Sequence, residues 1–318
     1  MNRRAAALSF VLAASLGATA CRPDFAPYNR LSALRVLGIQ SEPPTPFTGE
    51  ATTLSALVFT PTPDPSLTYK WSWCPVAAPA ADGYRCLVEE QQLDGYLAQA
   101  GLPPLPPFDL GAGDTALFTN SLDPAVLMAA CAGLLPNEPS AVTVDCTAGF
   151  PAQIALTVTT DTDTVTAVQT LKLRFDPTTP ANTNPTIDAL TATVGGVTLA
   201  IDDSGAVTLP RDVETPVATA VAETAAEVYP DGTDAQGAPV TSTERLFTTW
   251  FVESGGTHDT RTSFISGSTS FPDLLKNTWT PATVKDYPGS TARIFTVIHD
   301  NRGGVSWRGG IVNLEAGP

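Results

Sequence analysis

Two histidines occur in the 318-residue chain, and acid–base chemistry is sought around them first, because imidazole titrates nearest neutral pH. His258 stands beside Asp259 in "SGGTHDTR", and His299 precedes Asp300 in "HDNRGG". A hydrolytic triad needs nucleophile, base and orienting acid in spatial register, which adjacency in a Gly-rich loop does not supply. His258 reads as a solvated loop residue and His299 as a residue at a hairpin end. The nucleophile elbow G-x-S-x-G, the phosphate loop G-x-x-x-x-G-K-[ST] and the zinc helix H-E-x-x-H do not occur. "LGAGDTA" at 110–116 has G-x-G-x-x-A spacing, but it follows prolines rather than a strand and reads as a turn. No catalytic residue and no cofactor are expected.

Acid clusters raise calcium next: "TDTDT" at 160–164, "IDDSG" at 201–205 and "YPDGTDAQG" at 229–237. Calcium takes six to eight oxygens from converging carboxylates. The first two clusters fit hairpin tips, where Asp and Gly supply turn geometry. In the third, Asp231 and Asp234 flank Gly232, yet two carboxylates make a poor cage. No metal site is assigned.

Tyr69, Trp71 and Trp73 alternate in "LTYKWSWC" and share one face of a strand, with Lys70, Ser72 and Cys74 on the other. The stripe is either a sandwich core or a flat stacking platform for sugar rings, and is the candidate binding site. The wet opposite face favours the core.

Cys74, Cys86, Cys131 and Cys146 lack C-x-x-C spacing, and two histidines give zinc little to draw on. An even set in an exported chain reads as two disulfides. Short loops close at least entropic cost, which favours Cys74–Cys86 with Cys131–Cys146. The rival is Cys74–Cys146, leaving Cys86 for Cys131.

These residues must be placed by short β-rich runs broken by Pro, Gly, Asp and Ser. In the first half strands are expected at Leu34–Ile39, at Thr52–Phe59, over "LTYKWSWC", and as a hairpin of Ile154–Thr159 with Val165–Phe175. Helix candidates are "LVEEQQLDGYLAQAG" and "SLDPAVLMAACAGL", the second with Asp123 as N-cap and Pro124 at the first helical position. Between them "LPPLPPFDLG" reads as an extended spacer packed on its own domain, or else as a docking segment. The second half repeats the plan, with "VETPVATAVAE" and "LFTTWFVE" as strands and a terminal hairpin turning at Asn301–Gly304.

The chain opens with Arg3 and Arg4, an uncharged run from Ala5 to Ala20, then Cys21. Sixteen residues make a helix of about 24 Å, short of the ~30 Å hydrocarbon core. This is the pattern of a secretory signal peptide. Gly17, Ala18, Thr19 and Ala20 before Cys21 resemble the lipobox of bacterial lipoproteins, with Ala18 where leucine is usual. The resemblance implies a thioether-linked diacylglyceryl group on Cys21, acylation of its new amino group, and cleavage after residue 20. Arg22, where inner-membrane retention would use aspartate, implies the outer membrane.

The mature chain as a whole resembles the tandem immunoglobulin-like domains of bacterial surface lipoproteins. The carriers are a proline-broken first strand, a Gly-Glu before the second, and a tryptophan-bearing third. The fold class expected is mainly β, with two immunoglobulin-like β-sandwiches in tandem. Their boundaries are a lipidated tether over 21–30, a first domain over 31–175, a linker over 176–185 and a second domain over 186–318. The first domain carries a partly helical, disulfide-containing insertion at about 87–145. The rival pairing Cys74–Cys146 would resemble the inter-sheet bridge of antibody domains.

Loss of residues 1–20 removes two arginines and no acid, leaving 15 basic and 32 acidic residues and a net charge of −17. Such a surface repels nucleic acid. The expectation is a lipid-anchored envelope protein that binds or adheres to protein or glycan without catalysis. The alternative is a structural subunit of an envelope assembly or an accessory subunit of a surface complex.

Overall fold

A computed structural model describes residues 27–64, 66–132, 144–234 and 236–316. The expectations for residues 1–20 and for Cys21 lie outside the described residues. The first half lays down β1 (Arg35–Glu42), β2 (Ala51–Phe59), β3 (Thr68–Cys74), α1 (Glu90–Gln99), β4 (Asp109–Gly111) and β5 (Thr115–Thr119). There follow α2 (Pro124–Cys131), β6 (Phe150–Thr159) and β7 (Thr164–Leu173). One sheet runs β1-β2-β5 and the other β4-β3-β6-β7. Lettered in chain order, these are A-B-E and C′-C-F-G, the immunoglobulin-like arrangement with the chain crossing between sheets at B–C, C′–E and E–F. Period-2 alternation builds the core: in β6, Phe150, Ala152, Ile154, Leu156 and Val158 are buried and every residue between them is partly exposed.

The second half comprises β8 (Ala189–Val194), β9 (Val197–Ala200), β10 (Val207–Leu209), β11 (Thr215–Ala220), β12 (Val228–Thr233) and β13 (Pro239–Thr243). It continues with β14 (Leu246–Val252), β15 (Gly256–Thr257), β16 (Arg261–Phe264), α3 (Phe271–Leu275), β17 (Lys276–Thr280), β18 (Thr291–Asp300) and β19 (Val305–Leu314). The sheets are β15-β17-β11-β8-β9 and β10-β19-β18-β14-β16, with β12–β13 a separate hairpin. Trp250 on β14 and Trp279 on β17 are fully buried between them. The chain is thus mainly β, with two immunoglobulin-like sandwiches in tandem.

Three expectations change. Residues 109–119 are not part of an insertion: the alternation of "TALFT" makes β5 a sandwich strand, with Phe118 0% exposed in the first core. The added segments are therefore 75–108 and 120–149, on either side of β4 and β5.

The crossover 176–185 is not a loose linker. Asn182 is buried, its backbone N–H donating to Thr45 Oγ1 (2.9 Å) and its side chain to Asp300 Oδ2 (3.0 Å). Asn184 reaches back to the Ser41 carbonyl at 2.8 Å.

The last residues of the expected tether are docked as well. Arg30 bridges to Val252 in a parallel sense, with Leu31 N–H to Val252 O at 2.8 Å and Val252 N–H to Asn29 O at 3.0 Å.

These contacts belong to a broad junction. Strands β14 and β18 are apolar on both faces, the signature of a sheet covered on both sides. Their inner face holds Trp250 and Ile294. Their outer face, with Phe251 and Val297 and joined by Val305 of β19, packs against Leu31, Leu37 and Phe59 of the first sandwich. Each such side chain withdrawn from water contributes about 1.5–3 kcal/mol. Gly38 permits the approach, since a Cβ there would stand 3.2 Å from Val297 Cγ1. Arg293 bonds the Thr60 carbonyl (2.8 Å) at one end of the junction, and Gln40 bonds the Val305 carbonyl (2.7 Å) toward the other. The sandwiches lie side by side.

Candidate binding surface

The two tryptophans of the aromatic stripe are withdrawn from any ligand, and Tyr69 is half-buried beside them. Trp71 is 0% and Trp73 2% exposed. Trp71 Nε1 donates to Gly113 O (2.9 Å) and Trp73 Nε1 to Pro107 O (2.8 Å). The Trp73 ring meets Phe108 and Phe118 edge-on at 5.3 and 5.1 Å. Tyr69 packs against the same core, and burial, followed by the Asp114 charge, raises its phenol above the ordinary range. The inner face of a C strand cannot serve as a platform while a second sheet covers it, so Trp71 and Trp73 of the candidate site are corrected to core, and Tyr69 alone keeps part of its surface.

The proline-rich segment is consumed in the same way. Leu105 and Phe108 pack on the first core, Leu105 N–H donates to Asp94 Oδ1 (3.0 Å) and Phe108 N–H to Glu90 Oε2 (3.0 Å). It is the spacer, bound to α1 through two carboxylates.

Both disulfides form locally, Cys74–Cys86 and Cys131–Cys146, closing separations of 12 and 15 residues. Neither joins the two sheets of a sandwich. Asp123 caps α2 by accepting from Ala125 N–H at 2.7 Å. Leu127 and Ala130 of that helix are buried in the core, so the second disulfide secures a segment that already packs.

The acidic candidates are structural. Asp231 accepts from Ser242 Oγ across the β12–β13 hairpin, and Asp234 Oδ1 accepts Gln236 and Ala238 N–H at 2.9 and 2.8 Å. Asp231 ties the two strands of the hairpin and Asp234 closes its turn. Among the described residues no group of three or more His, Cys, Asp or Glu side chains stands together as a metal cage.

His258 is exposed and its N–H pairs with Thr278 O at 2.9 Å. His299 lies beside Phe247 on the face toward the first sandwich, and burial, then the Arg261 charge, lowers its pKa to about 4.

A titratable cluster that the sequence reading did not find lies at the crossover. Arg302 bonds Glu244 Oε1 (3.0 Å), Glu227 Oε2 (3.2 Å) and the carbonyls of Pro180 (2.9 Å) and Ala181 (2.6 Å). Asp300 Oδ1 accepts the N–H groups of Arg302, Gly303 and Gly304 at 2.7, 2.7 and 2.8 Å. Burial, then the charge of Asp300, pushes Glu244 up to about 7. The Thr183 hydroxyl donates to Glu227 as well, so the cluster's carboxylates are spent on Arg302, Asn182, Thr183 and backbone N–H groups, the chemistry of a clasp. The signal was the acid–Asn–Arg–Gly-Gly run at 300–304, read only as a turn.

Several segments beyond the strands gather at one end of the body. Cys74 ends β3, and the added segments 75–108, 120–132 and 144–149 lie at that end with the turn 301–304, the crossover and the β12–β13 hairpin. Tyr84, Tyr96, Met128 and Val228 are exposed on these segments.

No protein-family model matches the chain, and no curated protein matches it. Among solved structures, a chimeric titin Z1Z2-Z1Z2 tandem is similar at 13% identity and TM-score 0.28, over 89% of this chain and 100% of that one. Murine CEACAM1b is similar at 10% identity and TM-score 0.21, over 89% and 100%. Rst D1-D2 is similar at 13% identity and TM-score 0.19, over 89% and 99%. Overlaps this slight carry nothing about function, and the fold stands on the strand order above.

Proposed function

We propose that the chain is an exported, lipid-anchored and non-catalytic binding module of the bacterial envelope, contacting protein or glycan through the stapled end of its first sandwich. The observation that carries this reading is the gathering of both disulfide-secured segments and the β12–β13 hairpin at one end of a body whose titratable clusters are spent on turns and a clasp. Two disulfides fit an oxidising compartment. No helix among the described residues is long and apolar enough to cross a membrane. Membrane attachment in this reading comes from Cys21, with two or more acyl chains at ~0.8 kcal/mol for each buried CH₂, and Arg22 directs the chain to the outer membrane.

The test has two arms in a bacterial host. Labelled palmitate should enter the wild type and not the Cys21→Ser form; equal labelling of both sinks the anchor. Photo-crosslinkers at Tyr84 and Met128 should trap one envelope protein, or the purified protein should bind a glycan array. A single trapped partner at fixed stoichiometry favours the structural-subunit reading over a glycan binder.

A further inference from the structure

The docked start of the chain fixes which way the body faces. Pro27 to Leu31 lie against the end of β14, where Asn29 Nδ2 donates to Thr257 Oγ1 (2.6 Å) and the Tyr28 ring sits 5.7 Å from Phe251. Arg35 adds a hydrogen bond to the Tyr28 carbonyl and lies over its ring at 5.8 Å. Three further segments of the second sandwich meet at this end. Ala282 N–H bonds Ser254 Oγ (3.1 Å), and Asp212 N–H bonds Pro281 O (2.9 Å). Arg211 spends its guanidinium on four carbonyls, those of Ala282, Tyr287, Gly289 and Glu315, so loops 210–214 and 281–290 and the chain's end form one fixed surface.

We propose that this tether-side end, with the exposed side chains of Tyr28, Val213 and Val284, rests on the lipid surface while the disulfide-stapled end is presented away from it. The proposal rests on the anchor at Cys21. Six residue steps separate Cys21 from Pro27, at most about 3.5 Å each, so Pro27 lies within about 21 Å of the modified cysteine. Docking of residues 27–31 removes the slack that a free tether to residue 30 would have left. The strands then set the height of the far end: the ten residues of β18 span about 33 Å at ~3.3 Å each. Tyr28, Val213 and Val284 are 62%, 49% and 43% exposed at the tether side. The charges there do not form a basic patch. Glu253 is paired with Arg293 at 2.8 Å, Arg211 faces carbonyls, and Lys285 is outnumbered by Asp212 and Asp286. Contact therefore relies on the anchor and apolar side chains rather than on anionic headgroups, and uncharged lipid is the matching surface.

The lipidated full-length protein, reconstituted into phosphatidylcholine vesicles, tests this with a fluorophore on an unnatural side chain at Val213, Val284 or Met128. A nitroxide on the lipid headgroup should quench the probes at 213 and 284 several-fold more than the probe at 128, with little change between 50 and 500 mM salt. Equal quenching at all three sites in protein that floats with the vesicles overturns the orientation and leaves the anchor standing. A wild-type chain that carries no lipid and does not float overturns both.

Discussion

Arg302 Nη1 and Glu244 Oε1 lie 3.0 Å apart, with their side chains 5% and 1% exposed, and this pair holds the crossover between the sandwiches. The same guanidinium takes the Pro180 and Ala181 carbonyls and lies 4.7 Å from the Tyr229 ring centre. Above pH 7, where Glu244 is ionised, removing Arg302 leaves that charge buried and uncompensated, which costs about 3–5 kcal/mol. Arg302→Met should therefore lower stability by that order in urea unfolding and open 176–185 to protease. Arg302→Lys should recover only part of the loss, because an ammonium cannot serve two carboxylates and two carbonyls in one plane. Wild-type stability in Arg302→Met would remove the clasp from the account of the fold.

Glu244 and His299 should shape stability against pH in opposite senses. The Glu244 carboxyl moves from 4.5 in the unfolded chain to about 7 in the folded one, so the folded state holds its proton more tightly. That contribution is fully present below pH 4.5 and is lost as pH rises through 7. Asp300 and Glu227 face Glu244 and add to the rise, while Arg302 opposes it. His299 falls from 6.5 to about 4, so its contribution is present above pH 6.5 and is lost as pH falls through 4. Denaturant midpoints from pH 4 to 8 should show Glu244→Gln gaining on the wild type toward pH 7 and above. His299→Phe should gain on it toward pH 4. Parallel pH curves for all three proteins would contradict both assignments.

Gly38 is where the two sandwiches come closest. A valine there would press on Val297 Cγ1, Trp307 Cε3 and Val305 Cγ1, which stand 3.2, 3.5 and 3.7 Å from the Cβ position. Overpacking of this kind costs about 1–3 kcal/mol. Gly38→Val should destabilise by that amount and enlarge the radius of gyration measured by X-ray scattering, whereas Gly95→Ala in α1, with nothing within 4 Å, should leave the radius unchanged. An unchanged radius and midpoint in Gly38→Val would mean the junction is looser than these distances.

The strands of each sandwich were legible because alternation is local: β2, β3, β6 and β7 follow from spacing alone. The hairpin tip at 160–164 was legible for the same reason, whereas 201–205, expected as a hairpin tip, links β9 to β10 in the opposite sheet. Asp64, Asp145, Asp176 and Asp202 each stand two residues before Ser or Thr and accept both its N–H and its hydroxyl. The stripe of Trp71 and Trp73 announced a covered face but could not say whether a sheet or a ligand covered it. The junction was hidden because Leu37 and Phe59 come from strands 192 or more residues away from those of Phe251 and Val297. A trace was present in β14 and β18, where Trp250 and Phe251, or Ile294 and Phe295, are apolar on both faces. The clasp was hidden for another reason: turn geometry explains Asp300, Gly303 and Gly304, and only tertiary packing gives Arg302 its acids.

The two disulfides give the last prediction. Non-reducing peptide mapping should find Cys74 linked to Cys86 and Cys131 to Cys146, because each pair already stands 5.6 and 5.8 Å apart at Cα. Closing loops of 12 and 15 residues restricts the unfolded chain, and the chain-entropy model values each at about 3 kcal/mol. The consequences of losing them should differ. Cys74 is 6% exposed at the end of a central strand, so Cys74→Ser with Cys86→Ser places a hydroxyl in the core edge as well as freeing the loop. Cys131→Ser with Cys146→Ser leaves Leu127 and Ala130 packed, so it should cost no more than the loop term and leave tryptophan fluorescence unchanged. A peptide joining Cys74 to Cys146 would instead tie the C strand to the chain entering the F strand, and the segment between Cys86 and Cys131 would have to be rebuilt.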